Sequence, residues 1–347
     1  MRIRITIAAA LLGLVLAAAA GATKPGAGSE APARVFWVNP VQSLQREDLT
    51  DQKDARSAVP MNAYKDVTLS FLDGSGYLSG TYARIRNEVG SPAYSPANGG
   101  TFNYFRDQDE FEQVMAYYWI TQAQLYLQHL GFTGDTAILE NGIDVRINQW
   151  GQDNSYFWDR HNVLRFGKGG VDDAEDAEVI FHEYGHAIQG DQVPGFGPGP
   201  DSGAIGEAFG DYFAVSFGNA FTGNTFQPGC VMDWDATSYT STVPHCLRRT
   251  DMNLHYPEDL RDPREVHADG RIWSRALWDI NQALGNENAD KIIIGAQFGF
   301  GVDPSFKSAA MTTVRYAKDY PALGGIPAVC NAFKARGFIT QADCDAA

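Results

Sequence analysis

Residues 182–186 read HEYGH and have the types and spacing of a metal-binding helix. Residues four apart lie one turn above each other on a helix, so His182 and His186 present two imidazoles to one ion. Glu183 sits beside the first histidine, turned enough to face a water molecule on that ion without binding the ion itself. The pattern therefore indicates two nitrogen ligands with a general base beside them. The alternative is a helix that carries two ordinary histidines.

A third ligand is expected from the next helical segment, residues 206–211, which read GEAFGD. Glu207 and Asp211 are four apart and so share one helical face. A catalytic zinc ion has three protein ligands and keeps one position open. Glu207 can complete that set from an antiparallel helix, and Asp211 can accept the remaining ring N–H of a ligand histidine. The alternative, a solvated acidic face, does not suit apolar neighbours such as Ile205 and Phe209.

Two helices joined by a loop must position these side chains. The pattern predicts a helix over about 174–189 with Gly190 as its stop signal, and another over about 201–217. The segment 193–203 is too rich in Gly and Pro to be anything but a loop. Earlier residues read mostly as short strands, whereas later ones follow helical spacing, as in 267–284. We therefore expect an α+β fold with two lobes and a cleft between them.

The chain divides into four predicted segments. Residues 1–22 begin with two arginines and an apolar Ala/Leu-rich run shorter than the ~20 residues of a membrane span, which indicates a secretory signal peptide. Residues 23–33 are rich in Gly, Ala and Pro and predict a flexible leader. We expect a β-rich N-terminal lobe with the HEYGH helix over 34–190 and a mainly helical C-terminal lobe over 191–347. The protein is expected to be secreted.

The composition excludes several classes of partner. The 347 residues include 27 Lys and Arg against 42 Asp and Glu, a net charge of −15. A nucleic-acid-binding surface needs a basic stripe, and anionic lipid headgroups also attract positive charge. We therefore expect a monomer with no nucleic-acid partner and, after signal cleavage, no membrane partner.

The cysteines become informative once export is expected. An even number of cysteines in an oxidising compartment predicts disulfides, and four cysteines allow three pairings. The nearest-neighbour pairing closes two short loops, each of which would restrict the unfolded chain. None of the cysteines has the C-x-x-C spacing of a zinc knuckle or redox site. We therefore expect structural disulfides between Cys230 and Cys246 and between Cys330 and Cys344.

The motifs HEYGH, GEAFGD and a later D-x-x-x-x-H at 262–267 together resemble the gluzincin metalloendopeptidases. The resemblance is greatest to the fungalysin family, which is related to thermolysin, and it extends over about 34–338. It implies a two-lobed gluzincin fold, one catalytic Zn²⁺ and protein or peptide substrates. It also implies a base and proton shuttle at Glu183 and zinc ligands at His182, His186 and Glu207.

The same resemblance implies roles for residues around the metal. Asp211 would be the hydrogen-bond partner of the ligand His182. His267 would steady the oxyanion, and Asp262 would orient His267. The alternative for His267 is a capping role at the start of a helix.

Substrate contacts are also implied by the resemblance. Arg248 resembles the arginine that holds the substrate carbonyl, although Arg249 is an almost equal choice. Asn154 and Ser155 would lie on the substrate-binding edge.

Calcium is a second possible cofactor. Asp172, Asp173, Asp176 and Glu178 are close together in the sequence and offer the oxygen ligands that Ca²⁺ prefers. The alternative is an acidic helix N-terminus, which the helix dipole favours without any ion. The sequence leaves both readings open.

The function predicted from these observations is a secreted zinc-dependent endopeptidase. The metal would activate a water molecule, and Glu183 would act as the general base. The alternatives are a zinc aminopeptidase and a non-catalytic interaction module on a metalloprotease scaffold. A purely structural zinc site would normally have four protein ligands, and only three are evident.

Overall fold

The computed structural model describes residues 28–149 and 152–347. The signal peptide expected over residues 1–22 lies outside these described residues. Among them, no helix combines the length and apolar content that a membrane span requires. The strands are β1 (Ser29–Phe36), β2 (Tyr64–Leu72), β3 (Ala83–Asn87), β4 (Ile143–Ile147), β5 (Tyr156–Trp158), β6 (Val163–Arg165), β7 (Cys230–Val231) and β8 (Arg248–Arg249). The helices are α1 (Pro40–Leu44), α2 (Phe111–Leu130), α3 (Ala177–Gln192), α4 (Pro200–Thr222), α5 (Val266–Leu284), α6 (Asn286–Gln297), α7 (Phe306–Asp319), α8 (Ile326–Ala335) and α9 (Gln341–Ala346).

Strand β1 corrects the leader expected over residues 23–33. The strand begins at Ser29 and pairs antiparallel with β2, with Ala33 opposite Val67. Ala31 and Ala33 face inward and are buried. A flexible leader over the whole of 23–33 is therefore wrong for residues 29–33. Small alanines at alternate positions can fill a shallow space beneath a sheet, a pattern that composition alone does not distinguish from a linker.

A mixed four-stranded sheet lies beside the helices of the site. Its order is β3-β4-β6-β5; the first two pairs are parallel, and β5 runs antiparallel to β6. The long helix α2 connects β3 to β4 and packs against β3 and α3. Strand β5 is at the end of this sheet order and also packs against α3. The sheet therefore presents an edge strand to the helix that carries HEYGH.

Helix α3 starts and ends for identifiable reasons. Asp176 is its N-cap, because its side chain accepts a hydrogen bond from the backbone N–H of Glu178. The helix continues through Gly190, the predicted stop, to Gln192. A Cβ at Gly190 would lie 2.8 Å from the Phe157 ring. This glycine therefore makes room for β5 and does not end the helix.

Helices α3 and α4 pack antiparallel against each other at two glycines. A Cβ at Gly185 would lie 3.1 Å from the Cα of Gly210. A Cβ at Gly210 would lie 2.6 Å from Nδ1 of His182, closer than two such atoms can approach. The two glycines thus let the helices come close enough for HEYGH to face the GEAFGD segment.

The remaining helices, α5 to α9, form most of the second half of the chain. The Trp273 ring of α5 packs within 6 Å of three phenylalanine rings, Phe306, Phe333 and Phe338. One hydrophobic core continues from β1 to α9. The mixture of sheets and helices confirms the predicted α+β class. The lobe boundary at residue 190 stays a prediction.

Both disulfides have the nearest-neighbour pairing. Cys230 joins Cys246 with their Cα atoms 5.3 Å apart, and Cys330 joins Cys344 at 5.9 Å. The first bridge links β7 to the segment just before β8, the strand that contains Arg248. It therefore closes the loop that leads into the site.

Candidate active site

Side chains from α3 and α4 converge at one point. His182 Nε2 lies 3.2 Å from His186 Nε2 and 3.3 Å from Glu207 Oε2, and His186 Nε2 lies 3.7 Å from Glu207 Oε1. One donor atom from each residue lies within 4.8 Å of the other two. The buried Oε2 of Glu207 accepts no hydrogen bond in the described part of the chain. Two imidazoles and a carboxylate that converge in this way fit the donor set of a catalytic zinc ion.

A second carboxylate lies behind the first histidine. Asp211 Oδ1 lies 3.0 Å from Nδ1 of His182. Arg248 donates two hydrogen bonds of 2.7 Å to Asp211, one to each oxygen. Such bidentate pairs fix orientation as well as charge. The Nε2 atom of His182 is therefore directed towards Glu207, and the role of Asp211 in metal binding stays a prediction.

The charges around the two histidines differ. Burial disfavours the cationic form of His182, but the Asp211 and Glu207 carboxylates outweigh burial and raise the pKa of His182 to about 10. Burial dominates at His186 and lowers its pKa to about 4. Burial also disfavours the charge of Glu207, yet the His186 and His182 imidazoles hold its pKa below the ordinary value. Metal binding at this cluster must compete with a proton, so metal affinity should fall at low pH.

Glu183 is the buried carboxylate next to this cluster. Its side chain faces the same cavity as the two histidines, and its Oε2 accepts no hydrogen bond from any described residue. Burial raises the pKa of Glu183 to about 7, although the nearby His182 opposes the rise. A carboxyl group with this pKa can take up and release a proton near neutral pH.

His267 reaches the cluster from the first turn of α5. Its Nε2 lies 3.2 Å from Glu207 Oε2, and its Nδ1 lies 2.7 Å from Glu265 Oε1. The expected partner Asp262 is exposed and makes no hydrogen bond or ion pair with His267 in the described structure. The prediction for Asp262 is therefore wrong, and Glu265 holds the ring. Glu265 is the N-cap of α5, so its side chain also accepts the N–H groups of His267 and Ala268.

A cavity of about 360 Å³ opens in front of these residues. Asn154 and Ser155, which directly precede the edge strand β5, lie in its wall, and so does Arg248. Arg249 is not part of this wall and pairs instead with Asp251, 2.6 Å away. Successive side chains on a strand point to opposite faces, so only one of the two arginines can face the cavity. The geometry favours Arg248.

The four carboxylates considered as calcium ligands do not form a single group in the structure. Asp176 and Glu178 group with Asp233, whereas Asp173 groups with Asp153 and Asp235. Asp172 belongs to neither group, and its Oδ2 lies 4.0 Å from Lys168. The four do not make one site together, and calcium binding itself stays a prediction.

Sequence reasoning missed several residues of the site. Glu265 had a weak signal, because an acidic residue near a helix N-terminus is favoured by the helix dipole, although glutamate is not among the preferred N-cap residues. Gly210 had a weaker signal, because the need for a glycine at this position arises only when α4 packs against the His182 ring of α3. The carboxylates Asp153 and Asp235 lie 82 positions apart in the sequence, and no local pattern connects them.

Comparison with known proteins identifies the family. The sequence model of the fungalysin metallopeptidase family matches residues 107–344 of this chain. A comparison with curated protein sequences gave no significant match. Among solved structures, the chain is similar to the precursor of protealysin, a metalloproteinase from Serratia proteamaculans, with a TM-score of 0.53 and 16% identity over 75% of this chain and 88% of that one. That identity shows a shared fold, whereas the family match covers most of the chain and includes both motifs. The chain therefore belongs to the fungalysin family of metallopeptidases.

Proposed function

We propose that this chain is a secreted, zinc-dependent endopeptidase in which Glu183 is the general base. The observation that carries the proposal is the convergence of His182, His186 and Glu207 beside a buried carboxylate with a free oxygen. A zinc ion held by those three side chains would polarise the scissile carbonyl and lower the pKa of water.

Proton transfer falls to Glu183. Glu183 lines the cavity, and its Oε2 has no hydrogen-bond donor from the described chain, so this carboxylate is available to accept a proton from the attacking water. The raised pKa lets the same carboxyl group pass that proton to the leaving amine. One residue thus serves first as base and then as acid.

His267 and Arg248, which also line the cavity, would stabilise charge on the substrate carbonyl. Glu265 fixes the His267 ring through Nδ1, and Nε2 of that ring, when it carries a hydrogen, can donate to the developing oxyanion. Arg248 faces the cavity while Asp211 holds two of its guanidinium nitrogens. A positive group held in advance at this position stabilises the transition state without reorganisation.

Cleavage within a chain, as opposed to removal of a terminal residue, is supported by the edge strand. An extended peptide can bind beside an exposed strand through main-chain hydrogen bonds, and Asn154 and Ser155 stand where β5 meets the cavity. The sequence contains no G-x-M-E-N type of element for binding a free amino terminus.

Secretion is supported by the composition of residues 1–22 and by the two disulfides.

Peptides with blocked ends test the endopeptidase proposal. We expect a decapeptide with an acetylated N-terminus and an amidated C-terminus to be cleaved internally, at a rate within about threefold of its free-amine counterpart, because no bond to the terminus is needed. Mass spectrometry of the products would show the cleaved bond. Cleavage of the free-amine peptide alone, with release of its first residue, would instead establish an aminopeptidase.

Calcium is proposed at the cluster of Asp176, Glu178 and Asp233. All three carboxylates are buried, and the Oδ2 of Asp233 has no hydrogen-bond donor among the described residues. Their hydrogen bonds come from amides, such as that of Asn39, which donates to Asp176 and Asp233. Lys, Arg and His form no ion pair with them in the structure as described. Three buried carboxylates without a cationic side chain favour a bound divalent cation.

The calcium proposal predicts a pH-dependent stabilisation. Burial raises the pKa of Glu178 and of Asp233, so the folded chain binds more protons than the unfolded chain. Stability without calcium should therefore fall as the pH rises above about 4, the unfolded value. Calcium at 100 times the Kd that it has at pH 7.5 should add about 2.7 kcal/mol to the free energy of unfolding at that pH. The same calcium concentration should raise Tm less at pH 5, because protons compete with calcium for the carboxylates.

A substitution provides the control for calcium. Asp233→Asn should abolish the calcium-induced rise in Tm, yet without calcium it should be no less stable than the original protein, because it removes a buried charge and keeps an oxygen for Asn39. Thermal unfolding measured with and without calcium gives both values. An equal calcium effect in the variant would rule out this cluster as the binding site.

A further inference from the structure

One end of the active-site cavity is acidic. Asp173 and Asp235 lie in its wall together with Glu183, and Asp153 lies behind them. One carboxylate oxygen from each of these three aspartates lies within 4.8 Å of the other two. Asp173 and Asp235 are only 3% and 4% exposed. We call Asp153, Asp173 and Asp235 the acidic subsite.

The acidic subsite has too few hydrogen-bond donors. Asp173 Oδ2 accepts hydrogen bonds from the Ser155 hydroxyl and the backbone N–H of Gly167. The other oxygen of Asp173, and the Oδ1 atoms of Asp153 and Asp235, have no donor in residues 28–149 and 152–347. These three unpartnered oxygens are the independent sign that a ligand belongs here.

No side chain of the described structure neutralises the subsite through an ion pair. Arg248 is close enough to affect Asp235, but in the described structure its hydrogen bonds all go to Asp211. Burial of carboxylates without a partner is costly, and here it raises the pKa of Asp173 to about 7. A cation that entered the cavity would therefore be strongly favoured at this end.

The shape and chemistry of the subsite favour an ammonium group. An ammonium has three N–H donors, which matches three acceptor oxygens. The proposed calcium ligands Asp176, Glu178 and Asp233 are not among the described residues of the cavity wall, whereas Asp173 and Asp235 are part of it. The cavity wall also includes the apolar side chains of Val179, Met232 and Leu247, against which a lysine stem can pack. Because the subsite opens into the substrate cavity, the cation can arrive with the substrate.

We propose, on the basis of the proposed peptidase function, that the acidic subsite binds the side-chain ammonium of a lysine that flanks the scissile bond. The subsite thereby selects among peptide substrates. A free N-terminal amine offers the same ammonium chemistry, so the test must separate these two sources.

The test compares lysine with norleucine, which has the same carbon chain without the amine. Two series of doubly blocked peptides place either residue on one side or the other of the scissile bond. In one series, kcat/KM for the lysine peptide should exceed that for norleucine by about tenfold or more, since a hydrogen-bonded charge is worth this much. The series in which lysine raises kcat/KM shows on which side of the scissile bond the subsite binds the substrate residue.

Asp235→Asn is the decisive variant. The described side chains make no hydrogen bond to the Asp235 carboxylate, so the substitution removes its charge without breaking a bond. The ratio of kcat/KM for lysine to norleucine should fall at least fivefold, mainly by loss on the lysine peptide. Asp153→Asn should act in the same direction. Asp159→Asn, at the exposed rim of the same cavity, should change the ratio by less than twofold.

Each other outcome overturns the proposal. An unchanged ratio in Asp235→Asn, with both peptides still cleaved, would show that the subsite does not read the side chain. A preference set by a free N-terminal amine, measured on norleucine peptides with and without acetylation, would assign the subsite to the terminus. Loss of one bound calcium ion in Asp235→Asn, with equal loss of activity on both peptides, would make it a metal site. Failure of the proposed function looks different, because no blocked peptide would then be cleaved.

Discussion

Replacing Glu183 with glutamine is expected to lower peptide hydrolysis by roughly 100- to 10,000-fold, the usual range for a general acid–base group. Glutamine keeps the size of the side chain but cannot accept a proton at neutral pH. The zinc content should stay near that of the original protein, since the three candidate ligands His182, His186 and Glu207 are unchanged. Steady-state hydrolysis of a blocked peptide, with metal analysis of the same sample, measures both.

The comparison for Glu183→Gln is Asp159→Asn, which also removes one carboxylate from the cavity but lies at its exposed rim. Its kcat/KM on a norleucine peptide should stay within about threefold of the original. Turnover by Glu183→Gln similar to that of the original protein would exclude Glu183 as the base. A loss of zinc along with activity would instead show that Glu183 supports the metal site.

Replacing Glu207 with glutamine is expected to weaken zinc binding by more than ~100-fold, because even the loss of a hydrogen-bond partner to a ligand costs roughly 10- to 100-fold. The variant removes the only carboxylate that lies within 4 Å of all three imidazoles, those of His182, His186 and His267, in the described structure. Zinc titration against a competing chelator gives the affinity, and hydrolysis should fall with occupancy.

Asp211→Asn is the comparison for Glu207→Gln, and we expect it to cause a smaller loss of zinc affinity. Asp211 contacts His182 through Nδ1 and does not face the ligand cluster, so its loss should weaken zinc binding by roughly 10- to 100-fold only. Equal effects of the two variants would contradict the assignment of Glu207 as a ligand and Asp211 as its support.

The convergence of the three candidate zinc ligands could be predicted from the sequence because these residues lie on helices with fixed spacing. His182 and His186 share a face of α3, and Glu207 and Asp211 share a face of α4, so only the packing of two helices was left open. That packing depends on Gly210, which leaves room for the His182 ring. Local periodicity gave the α+β class for the same reason, since strands and helices have different repeats.

Contacts that depend on loops were not predictable in the same way. Asp262 matched a motif by spacing, but the turn before α5 places Glu265 at the His267 ring. The strand character of 29–33 depends on pairing with β2, a contact between distant segments. The acidic subsite joins three segments, around residues 153, 173 and 235, and is formed only when the chain folds. Such features depend on tertiary contacts, which the composition of a segment does not reveal.

The zinc content of the purified protein, followed together with its activity, tests the central claim most directly. We predict about one zinc ion per chain and internal cleavage of a blocked peptide. Cleavage should be lost in proportion to zinc during chelation, and it should recover when zinc is added back. A folded preparation that contains no zinc and gains no activity from added zinc, or one that cleaves the peptide equally well without metal, would contradict the account.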